Sequence, residues 1–171
     1  MPALDTLAKG ADALGVQLSD QQLSQFSTYL DGLAQWNKRT NLTSAAALAN
    51  AERVHLLDSL TLAPLIRAIT AGAQCLVDVG TGAGFPGIVT AIMRPDMEHV
   101  LVESRKRRVE WLERMIELSG LTECRVEGAR LQNVESFEAG IISARAFAPL
   151  KELISLSARF STDRTTWLLP K

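Results

Sequence analysis

The stretch Leu76-Val77-Asp78-Val79-Gly80-Thr81-Gly82-Ala83-Gly84-Phe85-Pro86-Gly87 constrains this chain more than any other. Leu76, Val77 and Val79 make the short apolar run of a parallel strand covered on both faces, with Asp78 near its carboxyl end. Gly80, Gly82 and Gly84 then allow a sharp turn and leave no side chains between the backbone and a ligand. Pro86 suits the first turn of a following helix, where the N–H it lacks would be unpaired anyway. That helix's N-terminus is expected to face the same crevice.

Two nucleotide-type readings compete for the loop, because Gly82-Ala83-Gly84-Phe85-Pro86-Gly87 also satisfies the dinucleotide pattern G-x-G-x-x-G. The acidic residue two positions ahead of the first glycine, Asp78, resembles motif I of the S-adenosylmethionine (SAM)-dependent methyltransferases. A pyrophosphate would be repelled by that carboxylate, whereas SAM has no phosphate and carries a cationic sulfonium and an ammonium group. The reading favours SAM. An NAD-type Rossmann oxidoreductase, and a non-catalytic protein that keeps the nucleotide fold to bind nucleotide or RNA, stay open as alternatives.

With 171 residues, 47% of them hydrophobic, the chain is long enough for one domain with a real core. Lys+Arg 18 against Asp+Glu 19 leaves a net charge of -1, so any nucleic-acid argument rests on local patches. No apolar run is long enough to span a bilayer, and Met1 to Gly10 lacks a basic region followed by an apolar one. A cytoplasmic protein is expected. Cys75 and Cys124 are isolated beside strand-like runs, which predicts two buried free thiols and no metal site.

Residues 1–70 read as an N-terminal helical extension packed on the core, and 71–171 as the core itself. A first helix ends at Gly15. Ser19-Asp20-Gln21-Gln22 has the capping-box pattern and opens a helix that spaces Leu23, Phe26, Leu30 and Leu33 on one face, with Tyr29 and Trp36 beside them. From Ala45 to Ile69 a further helical stretch is expected to break at Pro64. Asn41 and Thr43 read most simply as helix-end caps and His55 as a hydrogen-bonded surface histidine.

From Cys75 onward the period changes to strand-helix alternation, which predicts an α/β fold with a doubly wound, mostly parallel sheet. His99-Val100-Leu101-Val102-Glu103 is a second strand ending in a carboxylate placed to reach the hydroxyls of a bound ribose. The plainer reading pairs Glu103 with Arg107. Ser104 is expected to cap the helix from Arg105 to Ser119, and Gly120 to stop it. Arg105, Lys106, Arg107 and Arg108 oppose the dipole of that helix start, so with Lys38 and Arg39 they are candidates for RNA phosphate. Cys124 to Glu127, Gly140 to Arg145 and Thr165 to Leu169 complete five strand-like runs.

In this order the landmarks resemble the 16S ribosomal RNA guanine-N7 methyltransferase G family, also called glucose-inhibited division protein B, from about Ser19 to the end. They are Asn41-Leu42-Thr43, His55-Leu56-Leu57-Asp58-Ser59-Leu60, Asp78 to Gly87, Val102-Glu103-Ser104, Ala144-Arg145-Ala146-Phe147-Ala148 and Leu169-Pro170-Lys171. The resemblance implies a class I SAM-dependent methyltransferase fold, SAM as methyl donor and a guanine N7 in the decoding region of bacterial 16S ribosomal RNA as acceptor. With the loop reading it gives Asp78, Gly80, Thr81, Gly82, Gly84, Phe85, Glu103, Arg130, Leu131 and Arg145 as the cofactor set. Asn41, Arg145 and Lys171 are the candidates for positioning the target base.

Ala129-Arg130-Leu131 and Ala139-Gly140 depart from the family's usual residues at the adenine contact. Sheets of this class have seven strands, so the natural chain is expected to continue beyond Lys171. The ring N7 of guanine has an available lone pair, so positioning suffices for catalysis, and alignment alone is worth on the order of 7 to 11 kcal/mol. Phe85 or Phe147 could stack on a base, with core packing favoured for Phe147. The expected substrate is the assembled or partly assembled 30S particle, and the enzyme is expected to act as a monomer.

Overall fold

The structure is a computed structural model that describes residues 4–69, 75–145 and 148–170. The expected domain boundary at 70/71, Phe147 and Lys171 all lie outside the described residues. Five strands form one parallel sheet in the order β3-β2-β1-β4-β5: β1 Cys75–Val79, β2 Glu98–Val102, β3 Cys124–Glu127, β4 Ile141–Ala144 and β5 Thr166–Leu168. The chain builds outward from β1 to β3, then returns to the other side of β1 for β4 and β5. That reversal opens a crevice at the carboxyl ends of β1 and β4, where ligands of such sheets bind.

Alternation along β1 divides the core in two. Val77 and Val79, with Val100, Val102, Ile142 and Ala144, pack under Leu131, Leu153 and Phe160. Leu76 and Asp78 point to the opposite face, where Leu76 and Ile141 meet Ile66 and where Leu101 joins a cluster reaching into the N-terminal helices. That cluster contains Phe26, Tyr29 and Leu33 of α2 (Asp20–Thr40), Ile88 and Ile92 of α6 (Gly87–Met93), and Trp111, Leu112 and Met115 of α7 (Lys106–Ser119). The N-terminal helices and the sheet therefore share one continuous core. Cys75 and Cys124 are buried free thiols, and burial pushes both up to about 12.

The α2 capping box forms, with Ser19 Oγ accepting from the Gln22 N–H and Gln22 Oε1 from the Ser19 N–H. α1 (Asp5–Ala13) stops before Gly15, which has φ +69°. Two local expectations are corrected. The stretch after Ala45 does not run as a helix broken at Pro64: α3 (Ala45–Ala49) is followed by a π-helical turn over Glu52–Leu57, α4 (Asp58–Leu60) and, after a turn at Thr61-Leu62, α5 (Ala63–Ile69). Pro64 lies in the first turn of α5, where its missing N–H costs nothing. Nor does Ser104 cap α7: the Glu103 carboxylate accepts the Arg105 N–H at 2.8 Å, placing negative charge at the helix start that the basic run opposes.

Candidate active site

The glycine loop is held from beneath. Asp78 is fully buried, its Oδ2 accepting from the Gly87 N–H at 2.9 Å and its Oδ1 from Ser143 Oγ at 2.9 Å. A Cβ at Gly87 would lie 2.2 Å from Leu101 and 2.8 Å from the Asp78 carboxylate, so only glycine lets α6 start this close. Burial raises the Asp78 pKa above the usual range, against the pull of the Thr81 and Ser143 hydroxyls, the Gly87 N–H and Arg145. From outside, Tyr29 Oη and Trp111 Nε1 both donate to the Ala83 carbonyl, the latter at 3.0 Å. The N–H groups of Gly80 and Thr81 reach the last carbonyl of β2, Val102, at 2.9 and 3.1 Å.

On the β2 side of the loop lies a cavity of about 370 Å³ lined by Gly80, Val102, Glu103, Arg108, Arg130 and Leu131 among others. Glu103 is 6% exposed; its Oε2 is 3.5 Å from Arg108 Nη1. The helical partner is thus Arg108 and not Arg107. Arg108 accordingly leaves the group expected to face RNA: half-buried, it turns back over the loop, 3.6 Å from the position a Gly82 Cβ would take. Arg105 lines the same cavity while remaining exposed, and Lys106 and Arg107 are exposed.

Other expected cofactor residues lie deeper. Asp78, Thr81 and Phe85 are buried, so they support the loop and do not line the cavity, and a Cβ on Gly84 would strike Ile88 at 2.6 Å inside the core. Phe85 is not an open stacking platform: 3% exposed, it packs edge-on against Tyr29 at 5.3 Å and stacks on His55 at 4.4 Å and 13°.

On the β4 side, Arg145 follows Ala144, the register partner of Val79, so it leaves the sheet beside Gly80. It is not part of the Glu103 cavity. Its Nη1 donates to Asp58 Oδ2 at 2.9 Å, and its guanidinium carbon lies 5.3 Å from the Phe85 ring centre. The expected surface histidine is in fact buried: His55 Nε2 lies 2.9 Å from Thr43 Oγ1, and its Nδ1 has no partner. Burial, and after it Arg145, holds the ring below its ordinary pKa, with Asp58 opposing. Asn41 is exposed in a left-handed conformation (φ 47°) closing α2, and Lys38 and Arg39 are exposed in the last turn of that helix, where cations suit its dipole.

Asp58, Tyr29 and Trp111 carry no motif that marks them for a role. Asp58 stands inside the quoted His55 to Leu60 landmark, which was the one available signal for it. Tyr29 and Trp111 looked like ordinary members of apolar helix faces.

The profile of the family described as rRNA small subunit methyltransferase G matches residues 22–171. The chain belongs to that family. It is 44% identical over 165 residues to the ribosomal RNA small subunit methyltransferase G of Erythrobacter litoralis, covering 96% of this chain and 75% of that protein. The protein of the same name from Novosphingobium aromaticivorans is 42% identical, with 91% of this chain and 67% of the relative covered. Among solved structures, a SAM-dependent methyltransferase from Thiobacillus denitrificans, crystallised with S-adenosyl-L-homocysteine, superposes with a TM-score of 0.54 at 17% identity. That match covers 66% of this chain and 46% of the other and shows the fold, the class I methyltransferase sheet. No helix among the described residues is long and apolar enough to cross a membrane.

Proposed function

We propose that this protein is a SAM-dependent methyltransferase that modifies N7 of a guanine in the decoding region of bacterial 16S ribosomal RNA. One observation carries the proposal: a glycine loop anchored by Asp78 opens onto a largely polar cavity that Glu103 lines, at the point where the strand order reverses. The residues fit the donor. Glu103 has spent only part of its acceptor capacity on the Arg105 N–H and Arg108, leaving lone pairs for the two hydroxyls of a ribose. Val102, Ala129 and Leu131 supply the apolar part of the lining, against which a purine ring would lie, and Arg130 lines the same cavity.

When bound, SAM supplies an electrophilic methyl group: the N7 lone pair forms the new N–C bond as the C–S bond breaks and its electron pair leaves with sulfur. The protein's task is alignment, because guanine N7 carries no proton to remove. Gly80 and Gly82 keep the loop free of side chains at the crevice. Arg145, across the switch point, and Asn41 are assigned to the target side, with Lys171 as a further candidate. Arg105, Lys106, Arg107, Lys38 and Arg39 are assigned to RNA phosphates. The small-subunit particle or its precursor is the substrate, the enzyme acts as a monomer, and the site of action is the cytoplasm.

Two titrations test the reading. SAM should bind in calorimetry where NAD does not, and labelled SAM should place a methyl group on small-subunit RNA. Binding of NAD in preference to SAM would refute it, as would SAM binding without any transfer.

A further inference from the structure

The β4 side of the crevice carries a carboxylate–arginine pair that the cofactor cavity does not use. Asp58 is 45% exposed at its side chain and Arg145 21%; they are 2.9 Å apart through Asp58 Oδ2, and Oδ1 has no hydrogen bond among the described residues. A pair this exposed adds little to stability, so its placement needs another reason.

That placement is fixed with some care. Arg145 lies over Phe85, Phe85 is stacked on His55, and His55 is hydrogen-bonded to Thr43. The π-helical turn that ends at Leu57 carries His55 and delivers Asp58 immediately after it. Such turns recur at functional sites, where they re-aim a side chain out of α-helical register. The pair therefore sits at the switch point between β1 and β4, on the opposite side of the glycine loop from Glu103.

Side by side, the pair presents N–H donors on Arg145 and an open acceptor on Asp58. Guanine presents the complement along one edge, the O6 acceptor beside the N1–H donor; adenine presents the reverse, an N6 amino donor beside a bare N1. We infer that Asp58 and Arg145 read the O6/N1–H edge of the target guanine, Asp58 Oδ1 accepting from N1–H and Arg145 donating to O6. The inference rests on the rRNA methyltransferase reading above and adds to it the residue that selects the base. Contact at O6 and N1 leaves N7 uncovered. An adenine in the same place would set donor against donor and lone pair against lone pair, which rejects it more strongly than a missing contact would.

The test uses small-subunit particles carrying either guanosine or N1-methylguanosine at the modified position, with labelled SAM and the full chain. Wild-type kcat/KM should fall about tenfold or more on N1-methylation, the cost of one good polar base contact. Asp58→Ala should be slower on guanosine by a similar factor yet nearly indifferent to the N1-methyl group, with its SAM dissociation constant within about twofold of wild type. Asp58→Asn keeps the shape and loses the charge; it should fall between the two, and it serves if the alanine variant does not fold. Retention of the full wild-type penalty for N1-methylation in both variants would overturn the inference, leaving Asp58 as an anchor for Arg145. Absence of any transfer by the wild type to the guanosine particle would overturn the methyltransferase reading itself, a distinguishable failure.

Discussion

The two flanks of the glycine loop hold the same chemical pair in opposite orders. On the β2 flank the carboxylate is inside: Glu103 is 6% exposed and gripped by a backbone N–H, and Arg108, 28% exposed, lies outside it at 3.5 Å. On the β4 flank the arginine is inside, over Phe85, and Asp58 is the more exposed member at 2.9 Å. That inversion suits the flanks to different ligands. A buried, pre-oriented carboxylate offers acceptors to a diol. An arginine with a carboxylate at its outer edge offers a donor and an acceptor in a row, which suits the edge of a base. A loop fixed by Asp78 and by the Ala83 carbonyl keeps the two flanks in register.

The largest effect is expected from removing what the two flanks share. Asp78→Ala would orphan the Ser143 hydroxyl and the Gly87 N–H in the core, so a loss on the order of 3 kcal/mol in denaturant unfolding is expected, together with loss of SAM binding. Next come the flanks separately. Glu103→Ala should cost on the order of 1.5 to 3 kcal/mol in SAM affinity by calorimetry. Asp58→Asn should leave that affinity unchanged, and equal losses in both variants would erase the distinction between the sides.

The opposite end of the sheet supplies a control on pH. His99 is buried at the start of β2, its Nδ1 2.8 Å from the Met97 carbonyl, and burial lowers its pKa to about 4 from an ordinary 6.5. A depressed histidine pKa means that the unfolded chain takes up the proton first. Its contribution is complete above 6.5 and is lost as pH falls from there toward 4. The His99 contribution should therefore drop by on the order of 2 kcal/mol between pH 7 and pH 5, with the raised pKa of Asp78 acting in the opposite sense, and His99→Gln should remove that part of the slope. His55, also depressed, acts in the same sense. Acid loss of activity that tracks unfolding belongs to these buried rings, whereas loss at constant fold would point to a flank.

Smaller effects follow. Tyr29→Phe leaves Trp111 still bonded to the Ala83 carbonyl, so about 1 kcal/mol of stability should be lost in thermal or denaturant unfolding. Lys106→Gln and Arg107→Gln should each lower the salt slope of RNA binding by about 1, with SAM affinity intact. Arg108→Gln should do the reverse, since that side chain faces Glu103.

Sequence reasoning reached the sheet, the glycine loop and the strand-end carboxylate because these depend on local signals: apolar runs, glycine spacing and a strand's last residue. It missed what depends on three-dimensional register. Nothing in His55-Leu56-Leu57-Asp58 announces a π-helical turn, so the sequence alone places His55 on the surface and assigns Asp58 no role. Arg108 reads like its basic neighbours in sequence, because what turns it back over the loop is a carboxylate outside the helix, Glu103. Phe85 looked available for stacking until the N-terminal helices covered it, and those helices lie tens of residues away in sequence.

Methyl transfer to a guanine ring nitrogen can be read directly from the RNA. Small-subunit particles lacking the modification are incubated with the protein and methyl-labelled SAM, and the RNA is digested and analysed by mass. One label per 16S ribosomal RNA is expected, recovered as 7-methylguanosine from the decoding region. Label on any other base or atom, or none in the presence of demonstrated SAM binding, would contradict it.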